Sequence, residues 1–319
     1  MKFLIINAAG IGDFFEIIRW LYFTKKQKPD YVVDLMVSDR VYDYAKRCPY
    51  VRQVFCMRTR GENVVFSLDL FEKILRIREE DYDLIINTFP TYNLLGDVKM
   101  YFFIRFISLW GRIKTYGVRR EERFRIYNKD FLLKNDESVY LKYGEIFKTL
   151  GIYDETETSF SEILWYDKTK VMEKYKEVSG RRIIFVNPFS NSTKKMFCEG
   201  LWSDLLNRVT EVDKNSLFAI FPADMDYFNR LFNNLKPIAK DKILLIKEFD
   251  DWIFMIEKSL MVLTVDSATV HIASLLNKKT FVILPSDFDF SKGYKPYRCD
   301  SIFYCIGEFD YNSIFGLLV

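Results

Sequence analysis

Residues 266 to 271, Asp-Ser-Ala-Thr-Val-His, place a carboxylate, two hydroxyl groups and the only histidine of the chain side by side. They follow a run of apolar and β-branched residues that is typical of a buried strand, and Asp266, Ser267 and Thr269 supply the chemistry of a helix N-cap. A short strand-to-helix turn leaves backbone N–H groups unpaired at the sheet edge, where open α/β folds bind anionic ligands. The stretch therefore predicts an anion site or, equally well, a plain cap with a partly buried His271.

A second candidate group stands near the start of the chain, where the apolar residues 3 to 7 run into Gly10-Ile11-Gly12-Asp13. An apolar helical pattern begins at Phe14, so Asp13 falls at a helix start, where the helix dipole favours an ionised carboxylate. Only two glycines are present, without the third of a dinucleotide fingerprint, so that match is weak. Asp13 is interpreted as a reactive carboxylate or, with equal weight, as a plain cap.

Cationic and hydroxyl side chains follow two further predicted strands. Ser192, Thr193 and Lys195 come shortly after the strand at 183 to 186. The segment 119 to 129 holds four arginines beside aromatic residues. It is more typical of a solvated loop or hairpin, and a binding surface for an anionic acceptor is the alternative. The arginines assigned to that alternative are Arg120 and Arg123.

Composition excludes several functional classes. The chain has 319 residues, 49% hydrophobic and 29% charged, which indicates a globular protein with room for two domains of about 150 residues each. The net charge of +3 is spread along the chain, which argues against nucleic acid as a partner. Five cysteines without a CxxC pair, and one histidine, favour neither a disulfide framework nor a zinc site, so no metal is expected.

No signal peptide or membrane-spanning segment is expected, which favours a cytoplasmic location. The apolar start is too short for a signal peptide, and the longest apolar run, residues 100 to 110, is broken by Arg105 and is shorter than the roughly 20 residues that a bilayer requires. That aromatic run is predicted to be a core helix, with a peripheral membrane contact as a minor alternative.

Strands and helices that would position these groups alternate in two series. The first runs from residue 3 to about residue 150, a polar stretch follows at 154 to 161, and the alternation restarts at residue 182. Two parallel-sheet domains, residues 1–160 and 161–319, are therefore predicted, facing each other across an interdomain cleft. The predicted strands are 3–7, 31–37, 51–57, 83–88, 113–118, 183–186, 217–221, 243–246, 261–265 and 280–284.

Taken together, the motifs resemble glycosyltransferase family 9, the heptosyltransferase-like family. The resemblance runs from residue 3 to about residue 296, and its most specific element is Asp266 to His271. Its five pieces are Gly10 to Asp13, the Pro188 loop with Lys195 and Phe197, Phe249 to Trp252, Asp266 to His271, and Pro285 to Asp287 followed by Gly293.

The resemblance implies a GT-B fold of two Rossmann-like domains, the first for the acceptor and the second for a nucleotide-diphosphate sugar. It implies inverting, metal-independent transfer of heptose or a related sugar, from ADP-heptose in the first instance, to a hydroxyl of the lipopolysaccharide core or another glycan. No cofactor is expected. The expected partners are the nucleotide sugar and a glycan or lipid-linked glycan acceptor, with peripheral association at the cytoplasmic face of the inner membrane as an option.

The resemblance also implies roles for the candidate residues. Transfer with inversion needs a base for the acceptor hydroxyl and positive groups for the departing diphosphate. The expected catalytic residues are Asp13, as the base, and Lys195, which is also the expected phosphate ligand. Asp266 is assigned to hydroxyls of the donor sugar and His271 to a phosphate or supporting contact. The remaining assignments are Ser192, Thr193, Ser267 and Ala268 to the donor phosphates, and Gly10, Gly12, Arg120 and Arg123 to the acceptor side.

The chain departs from the family pattern in the loops that would shape the nucleotide pocket. Ala268 and Phe189 stand where glycine is usual, and Asn187 stands where histidine is usual. These departures leave the base and the sugar of the donor open. Two other classes remain as alternatives: a non-catalytic sugar-nucleotide-binding protein and, with less support, an NAD(P)-dependent oxidoreductase.

Overall fold

The chain forms two compact units, Met1–Ser159 with Phe290–Tyr297, and Phe160–Asp289 with Arg298–Val319. The computed structural model describes residues 1–8, 10–58, 68–91, 93–120, 124–134, 137–155, 162–178, 180–190, 192–285, 295–296 and 302–306.

The first unit is a six-stranded parallel sheet with the strand order β3-β2-β1-β4-β5-β6, which is the Rossmann order. Ile5 in β1 lies between Leu35 and Ile86 of its two neighbouring strands, so the centre of the sheet is apolar. The elements in chain order are β1 (Lys2–Asn7), α1 (Ile11–Gln27), β2 (Val32–Ser38), α2 (Tyr42–Ala45), β3 (Gln53–Met57), α3 (Leu68–Arg78), β4 (Leu84–Asn87), α4 (Leu94–Ile107), β5 (Lys114–Arg119), β6 (Lys129–Leu132) and α5 (Val139–Thr149).

The second unit repeats this arrangement with the order β12-β11-β10-β7-β8-β9, again all parallel. Its elements are α6 (Lys168–Lys174), β7 (Ile183–Asn187), α7 (Glu199–Val212), β8 (Leu217–Ile220), α8 (Met225–Asn233), α9 (Pro237–Lys240), β9 (Ile243–Leu245), α10 (Phe249–Lys258), β10 (Met261–Val265), α11 (Ala268–Leu275), β11 (Thr280–Leu284) and β12 (Ile302–Ile306), with short 3-10 turns at Lys176–Val178 and Thr193–Lys195. Two Rossmann-like α/β units are therefore confirmed.

Among the described α-helices and strands, β6, β12, α6 and α9 were not predicted from the sequence. Helix α4 also begins six residues before the predicted start at residue 100. The hairpin interpretation of the arginine-rich segment is wrong, because β5 and β6, on either side of it, pair in parallel.

Helices α1 and α5 pack against each other and position the residues at their N-terminal ends. The rings of Trp20 and Phe147 stack with centroids 5.3 Å apart. Asp13 and Tyr140 lie seven residues before this pair on their respective helices and are also in contact. The two helices therefore run in the same direction.

The N-terminus of α5 is tied to a segment far along the chain. The side chain of Ser138, the N-cap residue of α5, donates a hydrogen bond to the backbone carbonyl of Lys295 over 2.8 Å. Pro296, the next residue, is buried. The start of α5 is thus held by a stretch that follows most of the second unit in sequence.

Among the described residues, no helix has the length and apolar character to cross a membrane.

Candidate functional site

In a sheet with the Rossmann order, the strand order reverses between two neighbouring central strands. Ligands bind in the crevice at the carboxyl ends of these two strands. In the first unit these strands are β1 and β4. Asn7 ends β1, and its side-chain amide donates to the hydroxyl of Thr88, just after β4, over 3.0 Å. The backbone carbonyl of Thr88 accepts a 3.0 Å hydrogen bond from the Tyr143 hydroxyl. Buried polar groups therefore hold this edge of the sheet in a fixed arrangement.

Asp13 lies at this edge, in the first turn of α1, and it is half-buried. One carboxylate oxygen accepts the backbone N–H of Gly10 over 3.0 Å, and the other accepts the hydroxyl of Tyr140 over 3.3 Å. A Cβ atom at position 10 would lie only 3.3 Å from the first oxygen, so glycine suits this close approach. Asp13 is thus a helix cap, as one interpretation held, and a base role for it stays a prediction. Gly12, in the same turn, is buried.

The predicted acceptor arginines are only partly described. Arg120 directly follows β5 and is half-buried, whereas Arg123 lies outside the described residues. Arg119, which the sequence analysis did not select, is buried and lies 3.9 Å from a carboxylate oxygen of Asp97 and 3.7 Å from one of Asp130. It therefore holds the end of β5 between two acidic side chains.

In the second unit the corresponding strands are β7 and β10, and the candidate residues converge there. The Lys195 ammonium group lies 2.6 Å from a carboxylate oxygen of Asp266. The Ser190 hydroxyl donates to the backbone carbonyl of Asp266 over 3.1 Å, which ties the loop after β7 to the end of β10. The side chains of Lys195 and Asp266 are 35% and 18% exposed, so a ligand in solution can reach the ion pair.

The N-terminus of α11 is organised by Asn187, which was not predicted to be a site residue. Ser267 is the N-cap, and its hydroxyl accepts the backbone N–H of Thr269 over 3.3 Å. The side-chain amide of Asn187, the last residue of β7, donates to the hydroxyl oxygens of Ser267 and Thr269 over 2.8 Å each. A polar residue at the end of a buried strand was the signal that could have identified Asn187. These bonds hold the turn through Ala268 in place.

The other predicted donor residues differ in exposure. Ser192 is half-buried, and Thr193 is exposed on the 3-10 turn that ends with Lys195. His271 is 5% exposed within the first turns of α11, so it is more buried than the partly buried polar residue that one interpretation expected. Within the described ranges, no group of three or more His, Cys, Asp or Glu residues could hold a metal ion.

The acidic segment before β10 has a structural role. Asp251 is buried and accepts the Lys174 ammonium over 2.5 Å and the Tyr175 hydroxyl over 2.9 Å. The hydrogen bond to Asp251 raises the pKa of Lys174, and burial, followed by the bond to Asp251, raises the pKa of Tyr175 to about 12. The neighbouring Trp252 stacks on Phe221 at 5.2 Å. Of the matched Pro285 turn, residues 286 to 294 lie outside the described part.

We expect Asp251→Asn to lower the free energy of unfolding by about 1–3 kcal/mol, because a buried donor is left with a weaker acceptor. Chemical denaturation followed by circular dichroism measures the change. Glu248→Gln is the matched control, since Glu248 also contacts Lys174, at 3.4 Å, but is 59% exposed. That change should cost less than about 1 kcal/mol. Equal losses in the two variants would contradict the structural role of Asp251.

Comparison with known proteins agrees with this architecture. No protein-family model matches the chain. Lipopolysaccharide heptosyltransferase 1 of Campylobacter coli is 21% identical over 307 residues, which span 92% of this chain and 87% of that protein.

Solved structures match over nearly the whole chain. The ADP-heptose lps heptosyltransferase II of E. coli has a TM-score of 0.71 at 15% identity and covers 100% of this chain and 97% of its own. A family 9 glycosyl transferase of Veillonella parvula has a TM-score of 0.73 at 15% identity, with 99% and 88% covered. E. coli heptosyltransferase WaaC with ADP has a TM-score of 0.69 at 14% identity, with 100% and 99% covered. The GT-B fold class and the resemblance to the heptosyltransferase-like family are confirmed.

Proposed function

We propose that this heptosyltransferase-like chain is an inverting, metal-independent glycosyltransferase that moves heptose or a related sugar, from ADP-heptose in the first instance, to a hydroxyl of the lipopolysaccharide core or another glycan. The observation that carries the proposal is the match to a lipopolysaccharide heptosyltransferase over 92% of the chain. The placement of Asp13 and of the Lys195–Asp266 pair at the ligand-binding edges of their respective sheets supports it.

In the proposed reaction, the Asp13 carboxylate takes the proton of the acceptor hydroxyl. The oxygen of that hydroxyl attacks the anomeric carbon of the donor, and the bond from this carbon to the diphosphate oxygen breaks on the opposite face. The sugar is thereby inverted, and the nucleoside diphosphate leaves with the bonding electrons. A positioned base contributes about 10²- to 10⁴-fold to the rate of such a step.

The second unit stabilises the charge that develops on the leaving diphosphate. Lys195 supplies a positive charge, and the N-terminus of α11 supplies backbone N–H groups whose dipoles favour anions. Asp266 holds the Lys195 ammonium at 2.6 Å and, in the proposal, accepts hydrogen bonds from hydroxyls of the donor sugar. This pairing orients Lys195 and keeps a net negative charge from facing the phosphates.

Tyr140 is proposed as a positioning residue for Asp13. The Tyr140 side chain is 1% exposed. Its hydroxyl donates to one carboxylate oxygen of Asp13, and the backbone N–H of Gly10 donates to the other. We expect Tyr140→Phe to lower kcat by about tenfold, the lower end of the range for a hydrogen bond to a charged group because the 3.3 Å contact is long, with the KM for the donor unchanged. Steady-state kinetics of nucleotide release measures both constants.

The matched control is Tyr143→Phe, on the same helix. Tyr143 is equally buried, and its hydroxyl donates to the backbone carbonyl of Thr88. This variant should lose stability and keep the wild-type kcat. A Tyr140→Phe enzyme with wild-type kcat, or an equal loss of kcat in both variants, would contradict the positioning role.

A donor screen tests the proposed function. The purified chain is incubated with ADP-, UDP-, GDP- and CMP-linked sugars and a deacylated lipopolysaccharide core, and nucleotide release is measured. We expect release from ADP-heptose or another ADP-sugar, and release that depends on the acceptor. Binding of a sugar nucleotide without release from any donor would instead indicate a binding protein, and stabilisation by NAD or NADP alone would indicate an oxidoreductase.

For an acceptor that is attached to lipid, the proposal includes peripheral association at the cytoplasmic face of the inner membrane as an option. A protein that binds the membrane only at its surface needs an apolar face with basic residues around it.

A further inference from the structure

The side-chain amide of Asn187 lies where the loop after β7 meets the first turn of α11. Asn187 is 7% exposed. Its amide oxygen accepts the backbone N–H of Phe189 over 3.3 Å. Because a backbone N–H group can only donate, this bond fixes which end of the amide is the oxygen. The amide nitrogen therefore faces the hydroxyl groups at the start of α11.

The two hydrogens of this nitrogen are assigned by distance. Among the described residues, the oxygens within 3.4 Å of it are the hydroxyls of Ser267 and Thr269, at 2.8 Å each, the carbonyl of Phe189 at 3.3 Å and the hydroxyl of Thr264 at 3.4 Å. An amide nitrogen carries two hydrogens, so the two nearest oxygens receive them. Asn187 thus donates to Ser267 and to Thr269.

These bonds decide how the Ser267 hydroxyl can act. A hydroxyl oxygen has two lone pairs, and it carries one hydrogen. The Ser267 oxygen accepts the amide of Asn187 over 2.8 Å and the backbone N–H of Thr269 over 3.3 Å. Since both lone pairs are occupied, the Ser267 hydroxyl can only donate a further hydrogen bond.

In the free protein the proton of Ser267 points to a distant acceptor. The Thr264 hydroxyl donates its own proton to the carbonyl of Val265 over 2.8 Å. The proton between the hydroxyl oxygens of Thr264 and Ser267, which are 3.2 Å apart, therefore belongs to Ser267. This separation exceeds the roughly 2.5–3.0 Å of ordinary bonds between a hydroxyl and an oxygen, so a better acceptor can replace Thr264.

Ser267 is also the residue of this group that a ligand can reach. Thr264 and Thr269 are 0% exposed, whereas Ser267 is half-buried. Ser267 is the N-cap of α11, where the helix dipole favours an anion, and it follows Asp266, the partner of Lys195. A charged phosphate oxygen accepts a hydrogen bond more strongly than the neutral hydroxyl of Thr264 does.

We propose that Asn187 is a positioning residue that holds the Ser267 hydroxyl as a hydrogen-bond donor to the diphosphate of the sugar nucleotide. This inference rests on the proposed function, which places the diphosphate at the N-terminus of α11. Asn187 is buried and acts through Ser267. The bond from Ser267 strengthens as negative charge develops on the leaving diphosphate, so it adds to the stabilisation that Lys195 supplies.

Calorimetric titration with ADP tests this role in the wild type, in Asn187→Leu, in Ser267→Ala and in the variant with both changes. Leucine has nearly the shape of asparagine and no hydrogen-bonding group. We expect each single change to weaken ADP binding by about tenfold, the effect of losing a hydrogen bond to a charged group. The double variant should bind less than about threefold more weakly than Ser267→Ala, because Asn187 acts only through that hydroxyl.

Asn87→Leu is the matched control. Asn87 ends β4 of the first unit and is 0% exposed. Its side-chain amide contacts the residue two positions later as that of Asn187 does, donating to the carbonyl of Phe89 over 2.9 Å and accepting its N–H over 3.3 Å. Asn87→Leu should therefore lose stability as Asn187→Leu does and bind ADP with the wild-type affinity.

The positioning role is overturned by wild-type affinity in Asn187→Leu or Ser267→Ala, by losses that add fully in the double variant, or by an equal loss of affinity in Asn87→Leu. If Asn187→Leu does not fold, Asn187→Ala takes its place in the same set of titrations. With ADP bound by the wild type, these results would leave the proposed function standing. A wild type that binds no nucleoside diphosphate would overturn both.

Discussion

Replacing Asp13 by asparagine is expected to lower turnover by about 10²- to 10⁴-fold, the contribution of a positioned base. The side chain keeps its size, and its carbonyl oxygen can still accept the N–H of Gly10, which the carboxylate accepts at 3.0 Å in the native protein. The start of α1 should therefore survive the change. Nucleotide release at saturating donor and acceptor measures turnover, and calorimetric titration with ADP should give the wild-type affinity.

A capping carboxylate without a proposed chemical role serves as the control. Asp224 is the N-cap of α8, and its carboxylate accepts the backbone N–H of Tyr227 over 3.0 Å. Asp224→Asn should leave turnover unchanged and shift stability by at most about 1 kcal/mol. Turnover of Asp13→Asn within a factor of three of the wild type would show that this residue is only a cap.

Replacing Lys195 by methionine should weaken ADP binding by about 10- to 150-fold, because a charge-assisted hydrogen bond contributes about 1.5–3 kcal/mol. Methionine keeps an unbranched stem of similar length, so the main change is the loss of the ammonium group. The variant also leaves the Asp266 carboxylate without its 2.6 Å partner, which adds repulsion toward a diphosphate. Isothermal titration with ADP measures the affinity.

Lys194→Met is the control for this experiment, because Lys194 lies on the same 3-10 turn and is exposed. Its affinity for ADP should stay close to that of the wild type. In the variant Lys195→Met with Asp266→Asn, part of the lost affinity should return, since the unbalanced carboxylate is gone. If Lys195→Met binds ADP as tightly as the native chain does, the phosphate role of Lys195 is excluded.

The central strands could be predicted because they are short apolar runs between polar turns. β1, β4, β7 and β10 are almost entirely apolar and are covered on both sides, which is typical of parallel sheets. Edge strands carry less of this signal. β6, with the sequence Lys-Asp-Phe-Leu, is the last strand of the described sheet, beside β5, and Phe131 is buried while Lys129 and Leu132 are exposed, so its charged residues suggested a loop.

The candidate residues could be predicted from their types, whereas their partners could not. Lys195 and Asp266 are 71 residues apart in sequence, and no local pattern indicates that their side chains meet at 2.6 Å. Tyr140 lies 127 residues after Asp13. Only the packing of α5 beside α1 brings these two together, and that packing depends on contacts such as the stack between Trp20 and Phe147.

The tie between Ser138 and the carbonyl of residue 295 bears on how enzymes of this kind can be recombined. A chimaera with a single breakpoint near residue 160 would take residue 295 from the other parent. Any residue supplies the carbonyl that Ser138 uses, so the anchor of α5, and with it Tyr140 beside Asp13, would depend on the backbone path of the other parent at this position. A graft of the second unit that keeps the first unit intact therefore leaves the native residues 295 and 296 in place, which means three breakpoints instead of one.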